Sequence, residues 1–214
     1  GGFGIMTIGA VIVLVTMRRV GLRQRMLARA EIGSVSLGEI RTLVRSIAVF
    51  TIVVEAAVAA LLLTRFARHD TRGLLSGVYD AVFHSISAFN NAGISRFPDS
   101  LERFVGDPLL VVTISTAFVI GGLGFPVLLE LRHRRRPRRW SLHTRLTLAA
   151  TAALLVIGPL VVLALEWANP RTLGGLGTTD KLLTGWFQGT TPRTAGFTMV
   201  PIGEMHEPTL LFVT

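Results

Sequence analysis

Twice along this chain, a half-apolar stretch too short to cross a bilayer ends in an Ala-Gly pair, then a bulky apolar residue and a hydroxyl residue. The first copy reads F-H-S-I-S-A-F-N-N-A-G-I-S from Phe83 to Ser95, and the second reads W-F-Q-G-T-T-P-R-T-A-G-F-T from Trp186 to Thr198. Long apolar runs flank both copies. At membrane depth, backbone that stops being helical is tolerated only where protein buries it or water bathes it. Such a chain must bring irregular backbone to a protein interior or a wet path. An ion pathway lined by main-chain carbonyls has that requirement.

Composition agrees with a membrane setting. Half of the residues (50%) are hydrophobic and grouped into runs, which points to membrane helices. Cysteine is absent, so disulfides and thiolate metal sites are excluded. A formal net charge of +9 invites a nucleic-acid partner. The arginines, however, bunch between apolar runs and no soluble segment carries them, which excludes that class. Gly1 opens straight into apolar sequence with no visible signal peptide, and the chain reads as a piece of a longer polypeptide.

Four apolar stretches are candidate membrane helices: Ile5–Met17, Ser46–Leu63, Leu109–Leu131 and Leu146–Leu165. Ile5–Met17 falls short of the ~20 residues a span needs and reads as the end of a helix. Gly158-Pro159 is expected to kink the fourth. Pro208–Thr214 turns apolar again, as the start of a further helix. Val78–Phe89 and Lys181–Thr191 are the half-spans; about a dozen residues reach roughly half of the apolar slab.

Arginine sets the orientation. Arg18, Arg19, Arg23, Arg25 and Arg29 form one linker, and Arg132, Arg134, Arg135, Arg136, Arg138 and Arg139 form another. Helix, half-span and helix separate them, so they share a side, which the positive-inside rule makes the cytoplasm. Both half-spans then enter from outside. Beyond setting topology, the basic linkers suit contact with anionic lipid or a cytoplasmic partner. Gly1–Ile5 (G-G-F-G-I) is echoed by Gly121–Phe125 (G-G-L-G-F), as Gly93 is by Gly196. The unit is helix, half-span, helix. The expected division is 1–17, the end of a first repeat; 18–35, a basic linker; 36–131, a complete second repeat; 132–140, a second basic linker; and 141–214, a third repeat cut after its half-span. The fold class is all-α membrane protein, with these units around a central cation pore.

The chemistry expected is that of main-chain oxygens. A helix C-terminus carries about −0.5 charge and favours a cation. After it, Asn90-Asn91-Ala92-Gly93-Ile94 would run extended, with Gly93 free to take positive φ. Dehydrating a cation is offset only when several carbonyls replace its water shell together. Neither Ala-Gly segment carries the carboxylates a divalent ion calls for, so a weakly hydrated monovalent cation fits. In the second copy Thr194-Ala195-Gly196-Phe197 is equivalent, and Pro192 helps end the short helix. Arg193 beside a cation path is repulsive; a structural role, snorkelling to a carboxylate or to carbonyls, is expected, with electrostatic regulation as the other reading. Glu55, in mid-span, either binds an ion or proton or pairs with an Arg or backbone amide of the adjacent half-span. Gly121, Gly122 and Gly124 serve close helix packing or a flexible point near the path. His84 and Ser85 lack the surroundings of a hydrolase elbow, and Gly174–Thr179 lacks the Lys of a phosphate loop.

Together, F-N-N-A-G-I-S, T-P-R-T-A-G-F and G-G-L-G-F-P-V-L-L-E-L resemble the Trk/Ktr/HKT superfamily of potassium transporters, over essentially the whole chain. The resemblance implies four helix–pore-helix–helix repeats around one pore in a cell membrane, in bacteria the cytoplasmic one. It makes Asn91, Ala92, Gly93 and Ile94 filter residues of one repeat, and Thr194, Ala195, Gly196 and Phe197 those of the next. Potassium would be held by their backbone carbonyls, with no cofactor and with sodium as a coupling or regulatory ion. Ile94 stands where Phe is commoner, and its side chain is expected to pack behind the filter. A homodimer of the full-length subunit and a cytoplasmic nucleotide-binding regulatory ring are further implications. The activity expected is potassium uptake and not catalysis; the alternative is a secondary transporter of another small solute or cation, built on broken helices.

Overall fold

The computed structural model describes residues 37–69, 73–133, 140–193 and 195–213. The expected helix at Ile5–Met17, the linker 18–35, most of the second basic linker (134–139) and Thr194 lie outside the described residues. Among the described residues the regular structure is all helical: α1 (Leu37–His69), α2 (Leu74–Phe89), α3 (Pro108–Leu123), α4 (Phe125–His133), α5 (Leu142–Glu166), α6 (Thr178–Thr190) and α7 (Glu207–Val213), with short 3-10 turns between them.

Length separates two kinds of helix. The apolar stretch Arg45–Ala67 of α1 and all of α5 are long and apolar enough to cross a membrane. At about 1.5 Å per residue, the 16 residues of α2 reach about 24 Å and the 13 of α6 about 20 Å, short of a slab about 30 Å thick. Val49, Ile52, Val53 and Leu61 on α1, and Leu154, Val156, Ile157 and Leu160 on α5, are exposed, as a lipid-facing surface requires.

Local chemistry fixes the ends. Asp107 caps α3, its Oδ1 accepting from the amides of Leu109 (3.0 Å) and Leu110 (3.2 Å), and Pro108 sits where a missing N–H costs nothing. Ser141 caps α5, its Oγ accepting from the Thr144 amide at 3.2 Å. Helix α5 runs through Gly158 and Pro159 as one element.

Leu109–Leu131, expected as one span, is instead two helices bent by 92°. The break has a local cause. Pro126 offers no N–H to the carbonyl four residues back, and its ring clashes there. Gly124 takes φ 83°, and α4 restarts with the Leu128 amide donating to the Gly124 carbonyl at 3.3 Å.

α1 packs along α2 and α3, while α5 packs along α6 and α7; α3 also touches α6. The main core runs through this join, from Leu62 and Phe66 of α1 past Ile114 and Phe118 of α3 to Phe187 of α6 and the buried Phe197. Gly121 of α3 is packed so tightly on the end of α2 that an added Cβ would lie 2.8 Å from the Phe89 carbonyl carbon. Gly122 is exposed in this chain.

Candidate ion-binding site

Helix α2 ends at Phe89 and the chain turns at Asn90-Asn91, the latter with φ 53°. The Asn91 and Ala92 amides donate back to the carbonyls of Ala88 (3.1 Å) and Ser87 (2.8 Å). From Ala92 to Ser95 the chain is irregular. Helix α6 ends at Thr190 and tightens into a 3-10 turn, Thr191–Arg193; the Arg193 side chain lies outside the described residues. The Ala195 and Gly196 amides donate to the Thr191 carbonyl at 2.9 and 3.3 Å.

The two Ala-Gly pairs meet. Gly93 has φ 66° and Gly196 φ 77°, the left-handed region that only glycine enters freely. An added Cβ on Gly93 would overlap the Ala195 carbonyl oxygen and lie 2.7 Å from the Cα of Gly196. Among the described residues, no hydrogen bond is donated to the carbonyls of Ala92, Gly93, Ala195 or Gly196. A main-chain oxygen without a hydrogen bond in an apolar setting is satisfied only by water or an ion. Two short helices end there, and each presents the negative end of its dipole.

The strands are held from behind. Ser87 Oγ donates to the Ile94 carbonyl (2.8 Å) and accepts from the Ile94 amide (2.9 Å). With its backbone clamped on that side, the Ile94 side chain is 60% exposed in this chain; it does not pack behind the strand as expected, whereas Phe197 is fully buried. Leu101 donates its amide to the Thr198 carbonyl at 2.9 Å, and Thr198 donates its own to Ser100 Oγ at 3.1 Å, tying one strand to the loop after the other. Gln188 Oε1 accepts from the Met199 amide at 3.1 Å.

His84 lies fully buried behind this joint. Its Nδ1 is 2.8 Å from the Asp80 carbonyl, to which it must donate, and its Nε2 is 3.0 Å from Ser95 Oγ. The ring stacks on Phe97 with centroids 4.9 Å apart. Ser85 Oγ donates elsewhere, to the Glu55 carbonyl at 2.5 Å, so His84 and Ser85 do not pair with each other. Asp80, its side chain 1% exposed, forms an ion pair with Arg96, whose guanidinium sits 4.3 Å from the Tyr79 ring centroid.

Glu55, on α1, accepts from the Asn90 side-chain amide at 3.0 Å; its partner is that amide, where an arginine or a backbone amide was expected. Glu55→Gln keeps an acceptor and should leave folding and function near the parent. Glu55→Leu leaves the Asn90 amide only the Ile86 carbonyl, at 3.0 Å, and should cost about 0.5–1.5 kcal/mol, read as a lower unfolding midpoint in detergent. An ion- or proton-binding Glu55 would instead lose function in the Gln variant.

In the loop before α3, a hydrogen-bonded Arg103 holds the Asp99 carboxyl below its ordinary pKa, with Arg103 Nη2 2.6 Å from Asp99 Oδ1. A depressed carboxylate stabilises above its unfolded pKa and stops doing so as pH falls through the folded one. Melting curves should therefore show a loss beginning below about pH 4, well under about 1 kcal/mol after solvent screening, and absent in Asp99→Asn.

Sequence reasoning missed Ser87, the Asp80–Arg96 pair and Glu166. Glu166 is fully buried and accepts from Asn169 (2.7 Å), Thr172 (2.7 Å), the His206 amide (2.9 Å) and Thr209 (2.5 Å). It ties the end of α5 to the start of α7. Nothing local to the sequence distinguishes it from an exposed helix-end acid.

Residues 1–214 match the model of TrkH, a cation transport protein. The chain belongs to the TrkH family. Across 212 residues this TrkH-family chain is 42% identical to the Ktr system potassium uptake protein B of Bacillus subtilis (strain 168), covering 99% of this chain and 47% of the relative. Over 215 residues it is 40% identical to the protein of the same name from Vibrio alginolyticus, covering 100% of this chain and 47% of the relative. The potassium/sodium uptake protein NtpJ of Enterococcus hirae is 27% identical over 211 residues, covering 99% of this chain and 46% of the relative. The chain spans about half the length of the curated relatives it matches. With its apolar helices, it is an all-α, multi-pass protein of the cell membrane.

Proposed function

We propose that this TrkH-family chain supplies part of a potassium uptake pore, and that Asn91, Ala92, Gly93 and Ile94 together with Thr194, Ala195, Gly196 and Phe197 are its filter strands. The observation that carries the reading is the backbone contact of Gly93 with Ala195 and Gly196 beside four carbonyls that accept no hydrogen bond among the described residues. Carbonyls suit a monovalent cation that gives up water readily. The relatives' names, potassium uptake and potassium/sodium uptake, agree with potassium as substrate and leave sodium as a coupling or regulatory ion. Catalysis has no part in this reading.

In it, α1–α2–α3–α4 is one complete repeat and α5–α6–α7 the start of the next. The repeats expected before and after complete the ring in the full-length protein. A homodimer and a nucleotide-binding regulatory ring on the basic side extend the proposal on the strength of the family resemblance. The alternative, a secondary transporter using the α3–α4 break, wants polar side chains at the break. Gly121 to Leu129 offers none. The test is complementation: the full-length gene should restore growth at low potassium to a strain unable to take it up. His84→Ala retaining uptake would also exclude a hydrolytic role for that histidine.

A further inference from the structure

A groove of about 1100 Å³ opens between the first half of α1 and the end of α4, lined by Thr42, Arg45, Ser46, Val49, Phe50, Val53 and Arg132. Two features give it a chemistry. Arg45 and Arg132 are exposed, and neither has an ion-pair partner among the described residues. The nearest carboxylate in sequence on α4, Glu130, is engaged by the Ser141 hydroxyl (2.6 Å) and the Thr144 hydroxyl (2.6 Å). Arg45 opens the apolar stretch Arg45–Ala67, and Arg132 closes α4 at the end facing the basic linker. The cations therefore sit at the membrane edge, while Val49, Phe50 and Val53 continue the groove into the apolar slab.

A ligand for this groove needs an anionic head and an apolar body. A free phosphate or nucleotide satisfies only the guanidiniums, and a neutral lipid only the valines and the phenylalanine. We infer that the groove binds an anionic phospholipid, its phosphate between Arg45 and Arg132 and its acyl chains along Val49, Phe50 and Val53. Each arginine near an anionic headgroup contributes electrostatic attraction worth about a fivefold change in affinity, and guanidinium–phosphate pairing adds geometric selectivity.

The test uses the full-length protein in detergent, with native mass spectrometry reading the apparent affinity for the first bound phosphatidylglycerol against phosphatidylcholine. Arg45→Gln and Arg132→Gln should each weaken phosphatidylglycerol binding about fivefold and leave phosphatidylcholine unchanged. Arg45→Lys with Arg132→Lys should keep most of the preference and controls for folding. Arg171→Gln, an exposed arginine paired with Glu204 at the other end of the helices, should change nothing. Unaltered phosphatidylglycerol binding in the double Gln variant would overturn the assignment, as would an equal loss of both lipids. Neither readout depends on transported ions, so failure here and failure of the potassium reading are separable.

Discussion

Gly93→Ser should abolish growth at low potassium when the full-length protein is the cell's sole uptake route. Two costs act on one atom. A side chain at φ 66° enters the left-handed region at about 1–2 kcal/mol, and its Cβ would overlap the Ala195 carbonyl oxygen while lying 2.7 Å from the Gly196 Cα. The obstacle is backbone on both counts, so no side chain can swing aside and the two segments must separate. Rubidium uptake should fall at least about tenfold, the consequence of about 1.4 kcal/mol of lost ion coordination. Gly196→Ser meets the same torsional cost at φ 77°, but its nearest neighbour across the joint, the Gly93 Cα, is 3.4 Å away, an ordinary contact. It should be the milder of the two. Equal effects, or a harmless Gly93→Ser, would count against the joint as the narrow point.

The second large effect is on stability. Glu166→Ala removes one buried acceptor and strands four donors: the Asn169 amide, the Thr172 and Thr209 hydroxyls and the His206 backbone N–H. Each stranded donor costs about 1–3 kcal/mol where water cannot reach it; partial hydration at the loop brings the net to about 3–5 kcal/mol. The full-length variant should show a markedly lower unfolding midpoint in detergent and reduced yield. Glu166→Gln keeps an acceptor oxygen but puts a new NH2 among donors, and should fall between the two. A midpoint equal to the parent's in the Ala variant would show that α7 is held by other contacts.

Residue patterns disclosed some levels of this organisation and not others. Spans and half-spans were legible because length against the bilayer is a one-dimensional property; α1, α2, α5 and α6 lie where the apolar runs put them. The Ala-Gly pairs were legible because positive φ and close backbone approach both single out glycine. The break at Gly124 was not, since Gly and Pro within an apolar run serve helix packing in lipid as readily as a bend. The outward Ile94 and the strap from Ser87 depend on which hydroxyl reaches which strand across seven residues, and a lone serine carries no mark of that. Glu55 was singled out for its depth, but its partner Asn90, 35 residues away, is set by how α1 leans on α2.

Cations are expected to dwell at the joint of the two Ala-Gly segments. Crystals of the full-length protein grown in rubidium, measured at the rubidium absorption edge, would test it. The prediction is an anomalous peak within coordination distance of the Ala92, Gly93, Ala195 and Gly196 carbonyls, lost in Gly93→Ser. Rubidium bound elsewhere in an uptake-competent protein, with no peak at those oxygens, would contradict it.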